Sequence, residues 1–119
     1  MRVLVCGGRT YNNRTLMEET LNRFNKEGSS LDLIITGGAS GADALAAEIA
    51  FKWGTPLAIY PAQWDSYGKG AGPIRNGWML EFGQPDLVVA FSGGRGTANM
   101  IKQAREAGVN VMEIKEQDG

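Results

Sequence analysis

Hydrophobic positions along the chain fall into five short β-rich runs separated by longer amphipathic or small-residue stretches. Arg2–Cys6 (RVLVC), Leu31–Thr36 (LDLIIT), Pro56–Tyr60 (PLAIY), Asp86–Phe91 (DLVVAF) and Val109–Ile114 (VNVMEI) each read as a strand bounded by turn residues. Asp86–Phe91 is nearly all apolar, the pattern of a strand covered on both faces. Thr15-Leu16-Met17-Glu18 has capping-box spacing and predicts a helix to about Lys26, with Leu16, Leu21 and Phe24 as its apolar face and Gly28-Ser29-Ser30 as its end. Ser40–Phe51 predicts a small-residue helix with Leu45 and Ile49 four apart, stopped by Gly54, and Ser40-x-x-Asp43 has capping-box spacing at its start. Pro61–Gly72 reads as a loop and Asn76–Phe82 as a short helix. A last helix follows Ser92–Thr97 and runs through Ala107 to Gly108, a residue suited to the C′ position. Lys115–Gly119 is a polar tail.

Strict alternation of strand and helix predicts an α/β, Rossmann-like three-layer fold. Its five-stranded parallel sheet carries helices on both faces, joined by right-handed crossovers, with residues 1–119 forming one domain. Ligands of such sheets bind outside the carboxyl ends of the strands.

Composition narrows the chemistry. The chain carries 12 Lys and Arg against 13 Asp and Glu, a net charge of −1, which argues against a nucleic-acid binder working by bulk electrostatics. No apolar run approaches the roughly 20 residues of a membrane span. The apolar run at the N-terminus is short enough to read as a strand rather than a signal peptide, so the expected compartment is cytoplasmic. Histidine is absent, which excludes serine-hydrolase triads and His-ligated zinc in their usual forms. Cys6 is the only cysteine and reads as a small buried hydrophobe. Neither a metal site nor a cofactor is predicted.

Glycine is the compositional signal, at 17 residues. Three strands run straight into glycine pairs: Gly7-Gly8, Gly37-Gly38 and Gly93-Gly94. In a parallel sheet these ends share one edge, so the pairs should converge and offer close backbone approach and N–H groups to an anion. Two of the clusters also open helices, at Ser40 and near Thr97, where the helix dipole favours phosphate. Hydroxyls at Thr36, Ser40, Ser92 and Thr97 and guanidiniums at Arg9, Arg75 and Arg95 complete a donor set for an anionic ligand. No G-x-x-x-x-G-K-[ST] is present, and GGRTYN after the first strand departs from G-x-G-x-x-G. A P-loop NTPase and an ordinary dinucleotide dehydrogenase are therefore disfavoured.

VCGGRTY, TGGASGAD, the stretch Pro61…Trp64…Gly72-Pro73-Ile74-Arg75-Asn76 and FSGGRGTANM together resemble the SLOG superfamily. This superfamily groups DprA-type DNA-processing proteins with LOG phosphoribohydrolases, and the nearest likeness is to its small YspA-like, YpsA-related branch. The resemblance implies a Rossmann-like fold binding nucleotides or derivatives such as ADP-ribose-like or NAD-related molecules. It implies a phosphate loop at Gly93, Gly94, Gly96 and Thr97, faced by a turn of Gly37, Gly38, Ser40 and Gly41 with Asp43 beside it, and Arg75 as the arginine preceding that loop. Where the LOG pattern has a catalytic glutamate three residues after the threonine, this chain has Met100, whose thioether activates no water.

Three functions remain open at this point. The first is a non-catalytic binder of a phosphate-bearing nucleotide derivative, acting as sensor, carrier or sequestering protein. The second is a nucleotide N-glycosidase or phosphoribohydrolase using Asp43, or next Asp65, as its carboxylate. The third is a single-stranded nucleic-acid module with Trp53, Tyr60, Trp64, Tyr67 and Trp78 as stacking surfaces. The expected ligand contacts are Gly7, Gly8, Arg9, Thr36, Gly37, Gly38, Ser40, Gly41, Asp43, Trp64, Arg75, Asn76, Ser92, Gly93, Gly94, Arg95, Gly96 and Thr97. A homodimer or higher homo-oligomer is expected, with Trp53 and Trp78 as candidate interface residues.

Overall fold

Five parallel strands form one sheet in the order β3-β2-β1-β4-β5, in a computed structural model that describes residues 1–26 and 30–116. The strands are β1 (Arg2–Cys6), β2 (Leu33–Thr36), β3 (Leu57–Ile59), β4 (Leu87–Ala90) and β5 (Asn110–Glu113). Every predicted strand is present: β1 keeps its predicted bounds, β2 loses its first two residues, and β3, β4 and β5 are shorter by one residue at each end.

Alternation along the strands assigns the two faces. Val3, Val5, Ile34, Leu87 and Val89 pack against Met17 and Leu21 of α1 (Arg14–Lys26) and Ala42, Ala46, Ile49 and Ala50 of α2 (Ala42–Trp53). Leu4, Cys6, Ile35, Val88 and Ala90 face the other way, onto Met79 of α4 (Ala71–Gly83) and Met100 and Ala104 of α5 (Arg95–Glu106). The period of two thus feeds both cores from the same strands. Met100 is 1% exposed and fills the second core.

Helix boundaries differ from the sequence reading where side chains had competing partners. The predicted capping box of α1 does not form. Asn13 caps the helix instead, its Oδ1 accepting from the Leu16 N–H at 3.1 Å, while Glu18 pairs with Arg14 and Lys52. This shifts the inward face to Met17, Thr20 and Leu21, leaving Leu16 half-buried. The proposed terminator Gly28-Ser29 and the tail residues 117–119 lie outside the described residues.

The predicted loop Pro61–Gly72 contains a short helix α3 (Trp64–Tyr67) and a 3₁₀ turn (Gly68–Gly70), and α4 begins at Ala71 rather than Asn76. Pro73 sits in the first turn of α4, where a missing N–H costs nothing because those groups have no intrahelical partner. Gly54 and Gly108 end α2 and α5 as expected, both at positive φ (67° and 76°).

Trp53 packs against the first core, Tyr60 against the second, and Trp78 meets Tyr67 edge-on at 5.9 Å. Among the described residues no helix is long and apolar enough to cross a membrane.

The chain runs from β1 outward through β2 to β3, then crosses back to place β4 on the other side of β1. The loops after β1 and β4 therefore diverge to opposite faces, opening a crevice between them at the carboxyl edge.

Candidate functional site

Gly7-Gly8 is the hub of that edge. The Gly8 N–H donates to the Ser92 carbonyl at 2.8 Å, and the Gly8 carbonyl accepts from the N–H groups of Tyr11 (3.2 Å) and Ala42 (3.1 Å). One residue thereby ties together the loops that follow β1, β2 and β4. A Cβ on Gly7 would stand 2.6 Å from that of Ala42, and one on Gly41 would strike the Gly8 carbonyl. These glycines are required by the close approach of the loops themselves.

Above the hub lies a cleft of about 1010 Å³. Of the expected residues, Gly7, Gly8, Arg9, Asp43, Trp64, Arg75, Asn76, Ser92, Gly93, Gly94, Arg95, Gly96 and Thr97 line it. An adjoining recess of about 220 Å³ is lined by Gly37, Gly38 and Ser40, and shares Arg9, Trp64 and Arg75 with the cleft. Thr36 and Gly41 line neither: Thr36 is fully buried, and Gly41 is wedged against the Gly8-Arg9 backbone at φ 72°. Asp65 also lies outside both. A shallower groove of about 370 Å³ between α4 and α5 has Glu81 and Glu106 as its charged lining, the wrong sign for an anion.

The two glycine turns that open helices are unlike each other. At α2 the protein's own groups take up part of the turn. The Ala42 N–H bonds to Gly8, and the Asp43 carboxylate accepts from the Ala39 N–H at 3.1 Å. The Ser40 hydroxyl turns away to donate to the Arg9 carbonyl at 3.1 Å, so the predicted Ser40 cap does not form. At α5 no side chain caps the helix, and the N–H groups of Gly94, Arg95, Gly96 and Thr97 make no hydrogen bond among the described residues. A Cβ on Gly94 or Gly96 would meet nothing within 4 Å, and neither glycine has positive φ. Packing therefore gives no reason for glycine at these two positions. Gly93 differs, since its Cβ would run into Thr97 and stand 2.7 Å from the Gly8 nitrogen.

Beneath the cleft, Arg75 is 9% exposed. Its Nη1 donates to the Gly37 carbonyl at 2.6 Å and its Nε to the Asn76 Oδ1 at 3.1 Å. Burial lowers its pKa, opposed chiefly by the charge of Asp43. The Asn76 amide in turn donates to the Gly96 carbonyl (3.2 Å) and the Asn99 Oδ1 (3.1 Å), anchoring α4 to the first turn of α5. Burial raises the pKa of Asp43, against the downward pull of the Ala39 N–H, Arg75, the Gly37 N–H and Arg9. Burial also pushes the Cys6 thiol up to about 12, with Asp43 adding to the rise, which makes it a poor nucleophile at neutral pH.

At the rim, the Arg9 guanidinium stacks 5.4 Å from the centre of the Trp64 ring, and the indole is 47% exposed. Of the five candidate stacking aromatics, Trp64 is the one that reaches the cleft. Tyr11, Lys69, Asn99 and Glu116 also line it, although none of them is among the contacts expected from the sequence. Tyr11 and Asn99 fall inside sequence motifs without a polar pattern that marks them, Lys69 falls between two glycines, and Glu116 falls in the polar tail.

The family described as YspA, cpYpsA-related SLOG matches residues 1–67, which hold the β1 and β2 glycine turns and Asp43. The chain belongs to this family. The likeness to a relative extends beyond these residues. The chain is 34% identical over 124 residues to the Gene 61 protein of Mycobacterium phage D29, covering 95% of each. Among solved structures it is similar to phosphoribosylglycinamide formyltransferase from Bacillus halodurans, at 16% identity and a TM-score of 0.46, covering 98% of this chain and 75% of that one.

Proposed function

We propose that the cleft binds a phosphate-bearing nucleotide derivative, with the phosphate at the N-terminus of α5 and the rest of the ligand extending beneath Trp64. The observation that carries this reading is the contrast between the two helix turns. In the α2 turn the Asp43 carboxylate and the Gly8 carbonyl take up the Ala39 and Ala42 N–H groups, and Gly41 is wedged against Gly8. At α5, by contrast, the N–H groups of Gly94, Arg95, Gly96 and Thr97 make no hydrogen bond among the described residues, and a Cβ on Gly94 or Gly96 would meet nothing within 4 Å. Arg95, Lys69, Arg9 and Arg75 supply positive charge around the same space. The ADP-ribose-like or NAD-related identity of the ligand, and a role as sensor, carrier or sequestering protein, belong to this proposal.

Thermal-shift and calorimetric titration with AMP, ADP-ribose and NAD tests it. A ligand present at a hundredfold excess over Kd stabilises by about 2.7 kcal/mol, a rise in Tm on the order of 10 °C for a domain of this size. No shift and no heat across the panel would reduce the α5 loop to a turn.

A second reading, N-glycosidic cleavage, has Asp43 in its favour, since a carboxyl with a raised pKa lines the cleft. Chromatography of the bound nucleotide after prolonged incubation decides it. Release of free base by the native chain but not by Asp43→Asn supports cleavage, and an intact ligand in both supports binding alone.

A further inference from the structure

Tyr11 is 9% exposed, its ring tilted against Phe91 with centroids 5.2 Å apart, and both pack in the first core. Its hydroxyl is buried and has no hydrogen-bond partner among the described residues. A buried hydroxyl left unpaired carries an uncompensated desolvation cost. Phenylalanine would fill the same space without it. The core by itself therefore gives no reason for the oxygen.

The surroundings suggest one. Tyr11 lines the cleft, and its N–H is bonded to Gly8, whose own N–H holds Ser92 at the start of the α5 loop. Tyr11 thus belongs to the turn that holds the start of the proposed phosphate loop. Glu116 lines the same cleft, carried there by the chain leaving β5, whose Ile114 N–H bonds to the Ala90 carbonyl at the end of β4. The Glu116 carboxylate faces the phenol closely enough that its charge and a long hydrogen bond contribute, after burial, to a rise of the Tyr11 pKa to about 12, although no bond of ordinary geometry joins them.

An ionised carboxylate only accepts hydrogen bonds. Placed close to a phosphate site it repels phosphate, so the part of the ligand that meets it must donate. One sugar ring separates a nucleotide's phosphate from its vicinal hydroxyls, and those hydroxyls are donors.

We propose that Tyr11 and Glu116 form a sugar-hydroxyl site that makes the cleft select ribonucleotides over 2′-deoxyribonucleotides, an inference that rests on reading the cleft as a nucleotide site. The 2′-hydroxyl donates to Glu116 and accepts from the Tyr11 hydroxyl, which thereby gains a partner of ordinary geometry.

The test compares AMP with 2′-deoxy-AMP by calorimetry in the native chain, Tyr11→Phe and Glu116→Gln. The two nucleotides share base and phosphate, so a difference reports the sugar. The expected result is about tenfold tighter binding of AMP by the native chain, the scale of one hydrogen bond to a charged group. In both variants the ratio falls toward one while 2′-deoxy-AMP binds as well as before or better. Tyr11→Phe, having lost an unpaired hydroxyl, melts no lower than the native chain without ligand. A native ratio near one, a ratio unchanged in the variants, or an equal loss for both nucleotides would each overturn the sugar site while leaving the nucleotide site standing. If the native chain binds neither nucleotide, the reading of the cleft falls and this inference with it.

Discussion

The Nη1 of Arg75 donates to the carbonyl oxygen of Gly37 at 2.6 Å, joining α4 to the turn after β2 across 38 residues of sequence. With the Nε bond to Asn76, and the Asn76 bond to Gly96, it connects the β2 turn to the first turn of α5 through buried side chains. Arg75 is thus part of the frame that holds the two glycine turns in place, beneath a cleft that it also lines.

Arg75→Ala leaves the buried Gly37 carbonyl without its donor and should cost about 1–3 kcal/mol of stability, read as a lower urea midpoint at unchanged slope. Arg75→Lys should not restore it, because one ammonium cannot span Gly37 and Asn76 as the planar guanidinium does. A midpoint unchanged in Arg75→Ala would remove it from the frame.

The glycines of the edge should separate into two classes on substitution. Gly96→Ala meets open space within a helix and should hold or raise the stability of the free protein by up to about 1 kcal/mol, while weakening nucleotide binding at least roughly tenfold as the methyl enters the ligand's space. Gly41→Ala combines a φ of 72° with a collision against the Gly8 carbonyl and should fail to fold stably. Circular dichroism melts of the two variants, with and without AMP, check both statements. Equal melting behaviour would deny the distinction.

Asp43 gives stability a pH dependence of defined sign. Its folded pKa is raised above the ordinary value of 3.8, so its ionisation disfavours the folded state. That contribution is fully favourable below 3.8 and is lost as pH rises through the raised value. Glu18 and Asp32 have lowered pKa values and act oppositely, their stabilisation vanishing at acid pH. The difference between the native chain and Asp43→Asn isolates the first effect, since Asn retains an acceptor for the Ala39 N–H. Urea midpoints measured across pH 3–7 should show the native chain losing ground to the variant as pH rises. A constant difference would refute the raised pKa.

Cys6 should resist alkylation. With its thiol pushed up to about 12 and its side chain 7% exposed, the native protein carries almost no thiolate at pH 8. Iodoacetamide should modify it in urea and leave it intact in buffer, and rapid labelling of the folded chain would contradict the burial.

The periodicity of the sequence was enough for the architecture. Alternation in RVLVC and the apolar run DLVVAF are local properties, and a sheet fed by crossover helices has few topologies that bury both faces of such strands. The glycine turns were legible for the same reason: a strand that ends in two glycines announces its turn wherever the strand lies. Whether those glycines are structural or open toward a ligand was not legible. Gly41 and Gly96 look alike in sequence, and they differ through the position of Gly8, more than thirty residues from either. The caps failed similarly. Thr15-x-x-Glu18 and Ser40-x-x-Asp43 have the right spacing, but Arg14, Lys52 and the Arg9 carbonyl offer these side chains other partners, and such competition depends on which elements fold beside them. Tyr11 and Glu116 lie at opposite ends of the chain and meet because β1 and β5 deliver their following residues to one edge. Local pattern thus sets the elements and the edge on which they end. Long-range packing alone decides which polar groups are satisfied there and which remain open to a ligand, because satisfaction depends on distances between segments that no local spacing encodes.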